Sequence, residues 1–361
     1  MDDAMTSADV FQSLGFSRGP SLKNRLVLAP MTNTQSHDDG TLSDDEFRWL
    51  TMRAEGGFGQ VKTCAIAVEA RGRGYPGQLG AWDDLHLHGL SRLSEGIKTH
   101  RAVACAQLAH SGPRSLRDRV GIVTVPENAV TALSKDAVRS TIRHFVDAAK
   151  RSEKAGFDGV EIHSAHGFLP AQFLSPEINT RTDEWGGSLP NRTRFILEIL
   201  EGIRGATDSG FQLGLRLSPE RFGLRLAEIL EFAEEIMTSG LIDWLDMSLW
   251  DVFKIPEEKA YSQKPLIRWF TELGRGDCRL GVAGNILDRQ AAQRAINLGA
   301  DYVDIGKAAI LAHDFPREIR ETTDYSLPKR PVTEEFLKDQ GLGPAFIDYM
   351  RRFRGFVQEQ D

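Results

Sequence analysis

From Arg25 onward the chain alternates short, apolar, strand-like runs with stretches of helical period, and it does so eight times. That repetition constrains the fold more than any single motif. Parallel strands with covering helices close on themselves at eight, whereas an open doubly wound sheet has no need of so regular a count. The strand-like runs are RLVLAP (25–30), GQVKTCAIAV (59–68), AVACAQLAH (102–110), FDGVEIH (157–163), FQLGLRLS (211–218), LIDWLDMS (241–248), RLGVAG (279–284) and DYVDIG (301–306). Helical patterns fall between them, opening near Ser43 and then covering about 85–100, 136–155, 192–204, 227–239, 265–273 and 287–299. The expected fold is an α/β architecture, a (β/α)8 TIM barrel over residues 1–323, with a C-terminal helical extension over 324–361. The aromatic and arginine side chains of that extension suit either docking on a neighbouring subunit, which would make a homo-oligomer, or capping the barrel's own helices.

Composition narrows the function. With 44 Lys and Arg against 51 Asp and Glu the net charge is -7, so there is no broad basic field of the kind nucleic-acid binding uses, the RRFR at 351–354 being only a local patch. No apolar run is long enough to span a bilayer. Cys64, Cys105 and Cys278 sit in or near apolar runs without paired spacing, and read as reduced core residues rather than a disulfide framework or cluster ligands. The opening MDDAMTSADVFQSLG is acidic where a secretory signal would be positive. The expectation is a cytoplasmic protein acting on a small-molecule substrate, with no nucleic-acid or membrane partner.

In such barrels the chemistry sits at the C-terminal ends of the strands and in the loops after them. Pro30, Met31 and Thr32 stand there after the first strand, Gln107 near the end of the third, His163 and His166 after the fourth and Arg216 on the fifth. Gly284 and Gly306 follow the seventh and eighth. The GVAGN and DIGK turns suit a phosphate: Gly284 and Gly306 permit close backbone approach, Asn285 adds a polar side chain and Lys307 a positive charge. Two ordinary strand-to-helix turns would look the same. GRGYPG at 72–77 satisfies a dinucleotide-loop spacing, but it does not open a helix and reads instead as a loop over the mouth, with Tyr75 as a ligand contact. For the histidines three readings stand side by side: a structural pair, a metal site, and two imidazole N–H groups converging on a ligand oxygen. Zinc would need a third protein ligand, for which only Glu161 has suitable strand parity, and no metal is expected.

Several separated motifs then carry a family resemblance. KNRLVLAPMTN (23–33), QLAHSG (107–112), VEIHSAHGFLPAQFLSPEINTRTDEWGGSLPNRTR (160–194), LRLSPE (215–220), VAGN and DIGK occur in the order found in the old yellow enzyme family of flavin-dependent oxidoreductases, and the chain resembles that family over roughly its first 320 residues. The resemblance implies FMN across the barrel mouth, its phosphate at Gly284, Asn285, Gly306 and Lys307, with Pro30, Met31, Thr32 and Ala65 lining the isoalloxazine. Gln107 would meet the pyrimidine edge, Arg216 the N1 and O2 side, and Thr32 the region of O4. It further implies that His163 and His166 hold the carbonyl or nitro oxygen of an electron-poor alkene in a ping-pong reaction with NAD(P)H as reductant, with Phe168, Tyr75 and Trp250 shaping the substrate pocket. Two positions depart from the family pattern. Phe168 stands where many relatives have a tyrosine that can donate a proton, leaving solvent, Tyr75 or Tyr261 for that step; Lys307 stands where arginine is usual, keeping the charge but losing the two-pronged contact. The competing functions are an FMN-dependent dehydrogenase or demethylase for an amine or cyclic substrate, and a catalytically silent barrel that binds a phosphorylated ligand.

Overall fold

A computed structural model describes residues 8–359; residues 1–7, which begin the acidic N-terminal stretch read above, and 360–361 lie outside the described residues. Eight parallel strands form a closed barrel: β1 (Leu26–Leu28), β2 (Gln60–Ala67), β3 (Val103–Ala109), β4 (Gly159–Ser164), β5 (Gln212–Leu217), β6 (Trp244–Ser248), β7 (Arg279–Ala283) and β8 (Tyr302–Ile305). Neighbours follow chain order, and β1 closes the ring by pairing with both β2 and β8. The expected barrel is thus the observed one, because each run is buried on two faces: one meets the helices, the other fills the bore.

Local chemistry sets the helix starts. Ser43 accepts a hydrogen bond from the Glu46 amide at 3.1 Å and caps the helix Asp44–Glu55, while Ser134 and Asp288 cap Lys135–Lys154 and Arg289–Asn297 in the same way. In Lys135–Lys154 the buried residues Val138, Thr141, Phe145, Ala148, Ala149 and Ser152 recur at helical spacing and face the strands.

The bore is layered. Val27, Val103, Trp244 and Tyr302 pack with Leu14 and Leu22, whose backbones pair with each other, and these close the N-terminal end. The pairing of β2 with β3 slips between Lys62 and Ala65, so that Lys62 lies opposite Cys105 and Ala65 opposite Gln107. This bulge turns both Lys62 and Ala65 inward, which strict alternation would forbid. Gly281 leaves the space that the Asp246 carboxylate and Tyr302 ring occupy.

The helix Leu169–Leu174 and the short paired segments Val120–Gly121 and Thr131–Ala132 were not expected. The first is buried on nearly every side and shows no helical period, and two-residue strands are too short to show a pattern. The C-terminal helices Glu334–Asp339 and Pro344–Arg351 fold back on the same chain: the Phe346 ring meets Trp49 edge-on at 4.8 Å, the Gly343 amide donates to Gln35 Oε1 at 2.7 Å, and Thr34 Oγ1 donates to the Ala345 carbonyl at 3.0 Å. Through these contacts the extension caps its own barrel, one of the two arrangements its composition allows. Cys64, Cys105 and Cys278 are free and buried, and no described helix is long and apolar enough to cross a membrane.

Candidate active site at the mouth of the barrel

A cavity of about 280 Å³ opens over the C-terminal ends of β1, β5, β6, β7 and β8. It brings together Pro30, Met31, His166, Arg216, Trp250, Gly284, Asn285, Gly306 and Lys307, along with Ser248 and Asp304, which the sequence reading did not single out. Roomier hollows of about 440 and 870 Å³ lie beside Arg114 and Arg119 and around Lys23 and His100, but neither gathers the ends of several strands. In this fold the converging strand ends, not the larger hollow, mark the chemistry.

Arg216 is fixed from below. Its Nε donates to Ser248 Oγ at 2.7 Å and its Nη1 lies 4.0 Å from Glu161 Oε1, yet Nη1 is buried with no hydrogen-bond partner in the protein. Glu161 is fully engaged, accepting from Gln107 Nε2 at 2.8 Å and Trp244 Nε1 at 3.0 Å and pairing with Lys62 Nζ at 2.7 Å. Those contacts draw Glu161 into the bore and away from the role of third metal ligand. They also tie the Gln107 amide to a carboxylate through one of its N–H groups.

The histidines lie together, with ring centroids 5.1 Å apart. His163, the last residue but one of β4, pairs with Arg216 of β5, and the chain turns sharply after the strand. His166 and Gly167 both take left-handed backbone conformations (φ 58° and 71°), with the His166 amide donating to Ser218 Oγ at 2.9 Å and its carbonyl accepting from Arg114 Nη1 at 2.7 Å. The Phe168 ring packs 4.5 Å from His163. Burial, reinforced by His166 and Arg216, pushes the His163 imidazole well below its usual range; burial followed by Arg216 and Arg114 lowers His166 to about 3. Both rings are therefore neutral near pH 7, each with one N–H to donate. His163 Nδ1 is buried without a partner.

The two glycine turns form a cradle. Gly284 has φ 152°, and a Cβ there would stand 2.8 Å from the Trp250 carbonyl carbon. Lys307 begins the short helix Lys307–Leu311 and forms no ion pair among the described residues. The Asn285 amide is instead held by Asp251 at 3.1 Å. Trp250 is 50% exposed and stacks under the Arg221 guanidinium at 4.5 Å, which makes it part of the rim, neither the inner wall nor the simple loop anchor. Gln107, His163 and Phe168 do not border the cavity, and neither do Thr32, Ala65 and Tyr75. The last three cluster at the end of β2, where the Ala65 carbonyl accepts from Gln78 Nε2 at 2.7 Å and from Tyr75 Oη at 3.4 Å, and Tyr75 also meets Thr32.

The orphaned Arg216 Nη1 and His163 Nδ1, the side-chain-free cradle and the uncompensated Lys307 suit a planar, polar-edged group with an anionic tail, and so fit FMN. What the sequence reading missed is the ionic packing beneath: Lys62, Asp246, Asp304 and Ser248. Its signal was present as a charged residue inside each of three otherwise apolar runs, but which face each occupied depended on the bulge in β2.

The comparisons agree with this geometry. The family model described as NADH:flavin oxidoreductase / NADH oxidase matches residues 9–324. A probable NADH-dependent flavin oxidoreductase, YqiG of Bacillus subtilis, is 32% identical over 93% of this chain and 97% of its own length. An NADH:acrylate oxidoreductase of Vibrio harveyi is 32% identical over 84% of this chain but only 32% of its own length, so there the likeness is confined to part of a larger protein. The solved structure of the old yellow enzyme homologue from Zymomonas mobilis superposes with a TM-score of 0.78 over 91% of this chain and 96% of that one, at 23% identity, and bears on the fold alone. With a barrel of this topology, a mouth that fits a flavin, and a family match spanning nearly all of the barrel, the chain belongs to the NADH:flavin oxidoreductase family, that of old yellow enzyme, and is an FMN-dependent oxidoreductase that draws on NAD(P)H.

Proposed function

We propose that the protein is an ene-reductase that reduces the double bond of an activated alkene: an enone, an enal, a nitroalkene or a related conjugated acid. The observation that carries this is a pair of neutral imidazoles, His166 lining the cavity and His163 packed 5.1 Å behind it with an unpartnered nitrogen, beside an arginine that also has a free N–H. When bound, FMN supplies hydride chemistry, relaying two electrons from NAD(P)H to the β-carbon of the alkene. His163 and His166 donate hydrogen bonds to the substrate oxygen, where negative charge grows only as the reaction proceeds; neutral donors fixed by burial stabilise that charge without having to reorient. Arg216, with its unpartnered Nη1 at the cavity, would hold the flavin edge and favour added negative charge there. Gly284, Gly306 and Lys307 hold the phosphate. The likeness to an acrylate oxidoreductase supports an acceptor in which the alkene is conjugated to an oxygen-bearing group.

Phe168 has no proton to give. Tyr261 packs on Trp269 at 4.9 Å, and the Tyr75 phenol, raised by burial, stays protonated beside Thr32 and Ala65; neither borders the cavity. Proton delivery therefore falls to solvent.

The test is anaerobic spectroscopy of the FMN-loaded protein. NAD(P)H should bleach the flavin band, and cyclohexenone or acrylate should restore it within a turnover. A reduced flavin that no activated alkene reoxidises would refute the alkene assignment, and bleaching by an amine without NAD(P)H would support oxidative chemistry in its place.

Gly284→Ala tests the cradle. The added methyl meets backbone, and the residue must hold a φ that side chains rarely adopt. We expect roughly 1–3 kcal/mol of strain and at least a tenfold weaker FMN affinity, read by flavin fluorescence titration. Parental affinity would argue against the phosphate assignment.

A further inference from the structure

We propose that Asp304 is a proton-holding carboxyl in the bore of the barrel, and that its ionisation controls how readily the flavin above it takes up electrons. The inference rests on the FMN reading of the mouth.

Lys62 Nζ sits at the centre of three carboxylates: it bonds Asp246 Oδ2, lies 2.7 Å from Glu161 Oε2 and 3.2 Å from Asp304 Oδ1. All four side chains are at most 1% exposed. Arg216 is the second cation of the group. Two cations thus face three carboxylates in a dry interior, where an uncompensated charge is costly enough that a buried acid takes up a proton instead.

Hydrogen bonding identifies which acid it is. Glu161 accepts from Gln107 and Trp244 as well as Lys62, and Asp246 accepts from Tyr302 Oη at 2.7 Å as well as Lys62. Asp304 has Lys62 alone, and its Oδ2 is buried with no partner. The acid with the fewest donors is the one least stabilised as an anion. Burial pushes the Asp304 carboxyl above its usual range, with Lys62 and Arg216 only partly opposing and Glu161 adding to it; Glu161 is held below its own range by Lys62 and then Arg216, against its burial. Among the described residues the remaining titratable groups of the bore are Cys105 and Tyr302, which burial keeps neutral, while β1 and β7 contribute Val27, Gly281 and Ala283. Asp304 is also the carboxyl of this group that borders the mouth cavity, which it shares with Lys307 and His166.

With a proton on Asp304 the bore holds two cations and two anions; without it, one net negative charge lies under the ring. Reduction of bound flavin to its anion takes up two electrons and one proton and adds a negative charge above Arg216. When Asp304 starts ionised, that charge draws a second proton onto its carboxylate from solvent, so two electrons arrive with two protons. When Asp304 starts protonated, only one arrives.

The experiment is spectroelectrochemical titration of the FMN-loaded protein and its Asp304→Asn variant from pH 5 to 9, paired with denaturant unfolding of both apoproteins over the same range. In a window of pH the native protein should take up one proton more per two electrons than the variant, which doubles the slope of potential against pH where the variant keeps a single-proton slope. Unfolding has its own sign. A carboxyl raised in the folded state keeps a proton that the unfolded chain has released, so native apoprotein stability falls as pH rises from the ordinary aspartate range to the raised value, and the asparagine variant lacks that fall. Equal slopes in a yellow protein would overturn the inference and leave the flavin reading intact. A native protein that never takes up more than one proton per two electrons would overturn it even if the variant failed to fold. A protein that binds no FMN would defeat the flavin reading instead, and the inference with it.

Discussion

Replacing His163 and His166 together with alanine should lower the rate of alkene reduction by roughly a thousandfold or more while the protein remains yellow. Removing a single donor to a developing oxyanion typically costs a factor of about 10² to 10³. Here both donors would go, and Arg216, its Nε held by Ser248 Oγ, is the group assigned to the flavin edge and not to the substrate oxygen. The flavin contacts assigned to Arg216, Gly284 and Lys307 are untouched by the change, so FMN content should hold. Single-turnover reoxidation of the reduced protein by cyclohexenone isolates the step. A double variant that reoxidises at the parental rate would end the clamp hypothesis. The native enzyme provides a second check. Both imidazoles lie far below their usual range, so they are neutral across pH 6 to 9 and no imidazolium ionisation should shape the rate there. A step near pH 6.5 that vanishes with either histidine would contradict neutral donors.

Lys62→Met should be among the most destabilising single changes in the chain. It leaves Glu161, Asp246 and Asp304 together in the bore with only Arg216 to oppose them, and removing one partner of a buried ionic group costs about 3–5 kcal/mol because the others remain uncompensated. The loss should depend on pH in a defined direction. Without Lys62 the Asp304 carboxyl, already raised by burial, rises further and Glu161 loses the cation that holds it down, so the variant's stability is greatest in acid, where folded and unfolded chains are both protonated, and is lost as pH rises through the raised values. Denaturant unfolding of native and variant apoprotein at pH 5 and 8 reads both effects. A variant as stable as the parent at pH 8 would mean that Lys62 does not balance these charges.

The barrel was legible because a helical period and an all-apolar strand are local signals that repeat. The strand runs ending at Pro30, His110, His163, Ser218 and Ser248 could be matched to the mouth by counting, and the histidine pair, Arg216 and the two glycine turns followed from that count. Residue parity failed at one place with large effect: the slip in β2 between Lys62 and Ala65 turned a lysine inward that simple alternation would have left unassigned. The 113–132 excursion and the helix Leu169–Leu174 were invisible for a similar reason, since their conformation is imposed by what they pack against.

By itself, then, the sequence determined the eightfold alternation, the identity of the groups at the strand ends and the resemblance that gives them a flavin, because each of these is written in residue type and spacing along the chain. Only the tertiary structure decided the protonation of the histidines, the engagement of Gln107 with Glu161, the place of Trp250 at the rim, the return of the C-terminal helices onto their own barrel and the three carboxylates around Lys62. Those depend on burial and on distances between side chains far apart in sequence, and electrostatic energies in a dry interior change steeply with both.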